Sequence, residues 1–543
     1  MGQADSKAAS MARKRNLRQR ALFASAASSL AVLAAGSAAA QGLESRVQVQ
    51  GPGVPAEPAA SPAVATIEQA LALAYEDNPR LLSERALLRG SDARYAQARA
   101  RYGPSLSVGA SYGYAFDRLD ALIGPDQIRD GFSATVQAVL HQPLYTSGRL
   151  SSGVRVAEAD IAASRQSLRL IESQILLGVF TAFINVGRDR SLLEIVEQNQ
   201  DILLRQLTQS EARLRVREIT RPDRDQVQTR LAVGVATTES TRASLSISEA
   251  QFLRFVGARP AATLVPLQPR PVGIPRSLEE AHAIAERENP LLLLAHARER
   301  ISRAEVRLAE ADLGATVALQ GSAAYGAIEP YSNNLNQRNL RAGLVVDLPL
   351  FDSGLRAARI RETRELNEAD WRLIDDALRE VRAEVEQNWD VFVSGGRAVT
   401  QLEMAAQAAQ SAYEGAVFQE RAGARTTFEV LDLLRDLLDV RRQLVSAQAE
   451  EKVAQYGLLA AMGRLEAPLL VDDVEPYQPA ANLTAVRYSG DVPLITETVE
   501  SLDSITVTEN ESPRPYRDPA AGLRSLGLPL TRSPLVAVPA RDE

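Results

Sequence analysis

The chain has no cysteine. That excludes disulfides, thiolate metal sites and a lipidated N-terminal cysteine, and it leaves the compartment open. Histidine is nearly as scarce. His141, His282 and His296 are scattered, and none stands in a metal-ligand spacing such as H-E-x-x-H. There is no phosphate-binding loop and no G-x-S-x-G elbow. With no catalytic constellation to assemble, the sequence argues against an enzyme and against a bound cofactor or metal. A net charge of −7 argues against nucleic acid as a partner. Aromatic residues make up only 5% of the 543, while Ala, Leu, Glu, Arg and Gln abound. That balance favours long helices over compact sheet cores. After the first forty residues there is no run of 18 consecutive apolar residues, so no helix is expected to cross a membrane.

What is present begins with an export signal. "MARKRNLRQR" (11–20) is a basic stretch, and "ALFASAASSLAVLAAGSAAA" (21–40) is a short apolar one ending in small residues. Together they read as a secretory signal peptide over 1–40, cut before Gln41, with Met11 as an alternative start. The apolar core is too short and Ala-rich for a membrane anchor. Residues 41–63 are rich in Pro, Gly and Ala and read as a flexible lead-in. The C-terminal stretch, 467–543, carries ten prolines and no sustained period, and is expected to be mostly irregular or disordered, with room for a short ordered start.

Between these ends one plan is written twice. "ALALAYEDNP" (70–79) and "AHAIAERENP" (281–290) lie 211 residues apart, far beyond a solenoid unit of about 20–50 residues. The first repeat covers 64–260 and the second 275–466. Each opens with a helix, 64–78 or 277–289, which breaks at Asn78-Pro79 or Asn289-Pro290 because proline disfavours helix in the residue before it. A second helix follows, 80–101 or 291–313. The apolar period then becomes two. Leu106, Val108, Ala110, Tyr112, Tyr114 and Phe116 share one face, as do Phe132, Ala134, Val136, Ala138 and Leu140. Val317, Leu319, Gly321, Ala323 and Tyr325, then Leu340, Ala342, Leu344, Val346 and Leu348, repeat the pattern. These predict two hairpins, 105–141 and 316–348. "QPLYTSGRL" (142–150) matches "LPLFDSGLR" (348–356); Pro143 and Pro349 are expected to end the strands. Long helices follow over 149–214 and 355–421, each roughly 100 Å at 1.5 Å per residue, with Gly395-Gly396 as a weak point in the second. Return helices cover 222–257 and 426–464. In the latter, Val430, Leu433, Leu437, Val440, Leu444 and Ala447 form one stripe, and Leu431, Leu434 and Leu438 another. Two stripes let a helix pack on both sides, as a ring of helices requires.

Strands of about ten residues in an exported chain suit a tilted crossing of a bilayer, where every backbone group must be paired and the sheet must close. Four strands cannot close, so several chains must share one barrel. At this point the order of elements, their duplication, the Pro–aromatic–x–x–Gly junctions and "TTFEVLDLLRDLLDVRRQLVSAQ" (426–448) resemble the TolC family of outer-membrane efflux and secretion channels, over about residues 64–466. The resemblance implies a mainly helical protomer with a small β part. It implies a homotrimer with a shared twelve-stranded barrel in outer-membrane lipid and a long α-helical barrel in the periplasm. The implied role is the passive exit duct of a tripartite machine for type I protein secretion, drug efflux or both. The implied partners are a periplasmic adaptor (membrane fusion protein) and an inner-membrane pump of the ABC or RND class. A duct dedicated to RND-type small-molecule efflux is one alternative; a periplasmic structural or adaptor protein is another.

Two turns carry the implied mechanism, "VREITRPDRDQ" (216–226) and "RAGARTTFEVLD" (421–432). Both hold a capping box, Thr220-x-x-Asp223 and Thr426-x-x-Glu429, which explains those residue types by itself. By resemblance the turns form a periplasmic tip that closes like an iris. The aperture carboxylates fall on Glu429 and Asp432. The latch falls on Asp223 and Arg425, with Glu420 where the family has Tyr and Arg217 where it has Gly. Thr220, Gly423 and Arg425 fall on the surface that meets the adaptor.

Overall fold

The computed structural model describes residues 63–119, 127–267, 273–326, 337–466 and 476–505. The expected signal peptide and, apart from Ala63, the lead-in lie outside the described residues. Each repeat begins with a pair of helices hinged at an Asn-Pro step. In the first these are α1 (Ile67–Asp77) and α2 (Pro79–Ala100). Asn78 ends α1 in extended backbone, and its Oδ1 accepts from the Arg80 N–H at 3.0 Å to start α2. Its amide then donates to the Phe255 carbonyl at 3.0 Å, tying the pair to the end of the return helix. Further along, α5 (Leu278–Glu288) and α6 (Pro290–Ala311) repeat this arrangement. Asn289 accepts from the Leu291 N–H at 2.8 Å and donates to the Ala461 carbonyl at 2.7 Å. The doubled Asn-Pro is therefore a doubled corner, with the asparagine as cap and anchor at once.

Four strands form one antiparallel sheet in the order β1-β2-β3-β4. They are β1 (Ser105–Leu119), β2 (Gln127–Tyr145), β3 (Thr316–Gly326) and β4 (Gln337–Asp347). The two hairpins are joined through β2 and β3. Residues directly opposite share a face. Leu106, Leu140, Gly321 and Ala342 stand in one row, and Val108, Ala138, Ala323 and Leu340 in another. Ser107, Val139, Ser322 and Arg341 stand on the other side. One face is thus apolar across the whole sheet, and its large side chains are left uncovered: Val108 is 69%, Tyr112 70% and Leu340 84% exposed in the single chain.

Pro143 does not end its strand. β2 continues to Tyr145, and the register shifts between Pro143 and Tyr145. β1 pairs with β2 only as far as His141, so Pro143 has an open side on which its missing N–H costs no ladder bond, and Leu144 is the residue left unpaired at the shift. Pro349 does lie beyond the end of β4.

After each hairpin the chain turns through two residues with positive φ, Ser147 and Gly148 or Ser353 and Gly354, and enters a 67-residue helix. These are α3 (Arg149–Arg215) and α7 (Leu355–Arg421). The most apolar 18-residue window of the described helices lies in α3 and is 56% buried, as suits a core helix. Gly395-Gly396 is no weak point: α7 runs through it unbroken. A Cβ on Gly395 would lie 3.5 Å from that of Glu451, an ordinary packing contact with the return helix. Return helices α4 (Arg221–Val256) and α8 (Thr427–Ala461) lie against α3 and α7. The main core gathers α1, α2 and α5 around the middle of the long helices, where Phe180 stacks on Tyr456 at 3.7 Å. Nearer the tips Leu431 and Leu434 of α8 pack with Leu203 and Val227 of the other repeat. The second stripe of the α8 heptad thus joins the repeats.

Of the C-terminal stretch, residues 476–505 form the ordered part, and the rest lies outside the described residues. Two helices, α9 (Ala481–Val486) and α10 (Ile495–Ser504), lie on the first repeat. This part is fastened by side chains spaced along it, which need no regular period.

Candidate functional site

The long helices end in matching hydrogen-bonded turns. In the first, the Arg217 N–H donates to the Leu214 carbonyl at 3.0 Å and the Glu218 N–H to the Arg213 carbonyl at 2.9 Å. In the second, Gly423 donates to Glu420 at 2.9 Å and Ala424 to Gln419 at 2.9 Å. Both are Schellman motifs, which need a left-handed residue just past the helix. Gly423 supplies it at φ 75° without strain, whereas Arg217 supplies it at φ 62° with a side chain attached. The return helices then start on capping boxes. The Thr220 N–H and hydroxyl donate to Asp223 Oδ2 at 2.9 and 2.6 Å. The Thr426 N–H and hydroxyl donate to Glu429 Oε2 at 3.0 and 2.9 Å.

These bonds set the charge of the tips. The Thr220 hydroxyl and then its N–H hold the Asp223 carboxyl below the usual carboxylate range. The Thr426 N–H and hydroxyl do the same for Glu429, with a smaller contribution from the Arg425 charge. Both are exposed anions. Asp432, one turn further along α8 than Glu429, is half-buried and paired with Arg230 of α4 at 2.7 Å. Arg230 also donates to the Leu431 carbonyl at 3.2 Å and lies 5.5 Å from the centre of the Phe428 ring. Glu420 accepts from the Thr427 hydroxyl at 2.6 Å and stands 3.6 Å from Arg213, which pairs with Glu218 at 2.9 Å.

The structure therefore brings the expected residues to one end of the helices and joins them differently from the implied latch. Among the described residues, no ion pair within the chain joins Asp223 or Glu420 to Arg217, Arg221 or Arg425. Arg217 and Arg425 are exposed, as are Thr220 and Gly423. Sequence reasoning missed Arg213 and Arg230, the two cations that bridge the repeats at this end. Their positions in the second repeat, 206 residues on, are Gln419 and Asp436, so a search for duplicated features passes over them. Val216, Phe418 and Phe428 were also missed; they stand exposed beside the turns.

Comparison with known proteins agrees with this geometry. The family model described as outer membrane efflux protein matches residues 70–258 and 283–464, one segment for each repeat. The outer membrane efflux protein BepC of Brucella suis is 28% identical, over 78% of this chain and 90% of that protein. The outer membrane protein TolC of Escherichia coli is 22% identical, over 81% and 93%. Among solved structures, the Campylobacter jejuni CmeC outer membrane channel superposes with a TM-score of 0.65 at 11% identity, over 78% of this chain and 90% of that one. The chain belongs to the outer membrane efflux protein family: it is a non-enzymatic component of tripartite export, located in the outer membrane with its helices in the periplasm.

Proposed function

We propose that three copies of this chain form one duct, with twelve strands closing a barrel in the outer membrane and α3, α4, α7 and α8 of each copy lining the periplasmic passage. The observation that carries this reading is the sheet. It has four strands, two unpaired edges and one continuous apolar face. Such a sheet is unstable in lipid until its edges meet other copies. The tips form the aperture. Glu429 and Asp432 of three copies place six carboxylates around it and favour cations. Arg217, Arg425, Asp223 and Glu420 form the latch between neighbouring copies, since none of them pairs with another inside the chain. The Arg230–Asp432 and Arg213–Glu420 pairs hold each tip shut from within. Thr220, Gly423 and Arg425, with the exposed Val216 and Phe418 beside them, meet the helical hairpins of a periplasmic adaptor. That adaptor links the duct to an inner-membrane pump of the ABC or RND class. The cargo is protein, small molecules or both.

Single-channel conductance in planar bilayers tests this reading. Wild-type protein is expected to conduct weakly and to select cations. Glu429→Gln with Asp432→Asn keeps the side-chain shapes, and it is expected to abolish the selectivity and raise the conductance by freeing Arg230. Folded, detergent-purified protein that opens no channel would overturn the duct. A channel indifferent to the double change would overturn the aperture and leave Glu429 a cap only.

A further inference from the structure

The second repeat caps its own strand-to-helix junction. Asp352 Oδ1 accepts from the Gly354 N–H and Oδ2 from the Arg356 N–H, both at 3.0 Å. The matching residue in the first repeat is Thr146, whose hydroxyl accepts from the Leu150 N–H at 3.2 Å but carries no charge. The carboxylate comes from the other end of the chain. Asp503 of α10 is wholly buried. Its Oδ1 accepts from the N–H of Thr146 at 2.7 Å, the Thr146 hydroxyl at 2.7 Å and the Gly148 N–H at 3.1 Å. Its Oδ2 accepts from the N–H and the hydroxyl of Ser151, both at 3.0 Å. Burial pushes this carboxyl up, yet the bonds from Thr146, Ser151 and Gly148 outweigh it and hold it below the usual range. Gly148 and Gly354 are equivalent glycines. One takes its carboxylate from 355 residues away and the other from two.

The segment that brings Asp503 is held by side chains the second repeat lacks. Arg85 lies between the rings of Tyr75 and Tyr477, at 4.4 and 5.1 Å. Buried Asp92 accepts from the Asn482 amide at 2.8 Å. Arg99 pairs with Asp491 at 3.0 Å, with both side chains nearly buried. The corresponding residues of the second repeat are Glu286, His296, Arg303 and Glu310, with the charge reversed at the last two. Val499 closes the contact, packed with Tyr102, Leu150 and Val154 around the start of α3. The family match ends at residue 464, before this segment.

We infer that residues 476–505 are a strap whose docking completes the first junction, so that the β1–β2 hairpin is locked to α3 only when this late segment of the chain is in place. A chain emerges N-terminus first. The first hairpin is therefore made long before its cap, whereas the second hairpin carries its cap beside it. The strap makes fixation of the first hairpin conditional on synthesis through residue 505.

Limited trypsin digestion of the detergent-purified full-length protein, with the cuts at Arg149 and Arg356 followed separately, tests this independently of any ion flow. Asp503→Ala is expected to speed cleavage at Arg149 roughly tenfold, the factor that one lost helix cap carries, and to leave Arg356 unchanged. Thr146→Asp in the Asp503→Ala background transplants the second repeat's cap and is expected to return cleavage close to the wild-type rate. Asp503→Asn keeps the size and one acceptor and gives a smaller rise. A chain ending at Ile505 should behave as the full chain, and one ending at Glu475 should resemble Asp503→Ala. Wild-type cleavage in Asp503→Ala overturns the inference. So does equal acceleration at both junctions, or failure of Thr146→Asp to rescue.

Discussion

The two repeats follow the same backbone path and secure it by different means. The second is self-contained: Gly423 turns its tip and Asp352 caps its junction. The first borrows: Arg217 turns its tip under strain, and a carboxylate from the far end of the chain caps its junction. Duplication preserves the shape, because shape follows from apolar periodicity and a few turn positions. It does not preserve the donors and acceptors that satisfy a turn, because any group reaching the same spot will serve.

The sharpest break in the comparison is expected at Arg99. Removing it leaves the nearly buried Asp491 without its cation, which costs up to about 3–5 kcal/mol, the loss for a fully buried pair. Its counterpart Glu310 sits in an exposed pair with Arg364, and such pairs contribute about 0–1 kcal/mol. Denaturant unfolding should therefore separate Arg99→Ala from Glu310→Ala by several-fold, and equal losses would mean the strap adds nothing to stability.

The corners should behave alike. Asn78→Ala and Asn289→Ala each remove a cap and an anchor, for about 1–2 kcal/mol. A large difference between them in the same unfolding experiment would show that the repeats are less equivalent than their hydrogen bonds.

Acid distinguishes the repeats again. Hydrogen bonds from Arg464 and Arg287 hold Glu288 down to about 2. A carboxyl depressed on folding contributes stability that is complete above its ordinary value near 4.5 and is lost as pH falls towards 2. The Glu288→Gln variant should thus lose less stability than wild type between these pH values. Asp77, its counterpart, has no ion pair among the described residues.

The smallest effect lies at the tips. Arg217→Gly removes left-handed strain and should stabilise by about 0.5–1 kcal/mol, while Gly423→Arg should cost a similar amount. Thermal unfolding that moves the same way for both would disprove the assignment of these turns.

Much of this was legible without coordinates. The duplication, eight helices, four strands and both capping boxes follow from local patterning, because helix period, strand alternation and cap chemistry act over a few residues. Alternation in "SLSVGASYGYAF" (105–116) is enough to aim one apolar face outward. Glu429 and its Thr426 cap were read correctly at the start of α8, but the partner of Asp432 was not. Arg230 meets Asp432 from 202 residues away, and no pattern encodes that distance.

By itself, then, the sequence determined the repeated protomer, its sheet and its long helices, since each rests on contacts among near neighbours. Tertiary structure alone decided that β2 runs on through Pro143, that α7 stays unbroken through Gly395-Gly396, that Arg213 and Arg230 bridge the tips, and that Asp503 returns to the first junction. All of these depend on which distant backbone or side chain arrives next to a given residue, and burial and unsatisfied polar groups settle that only when the whole chain is packed.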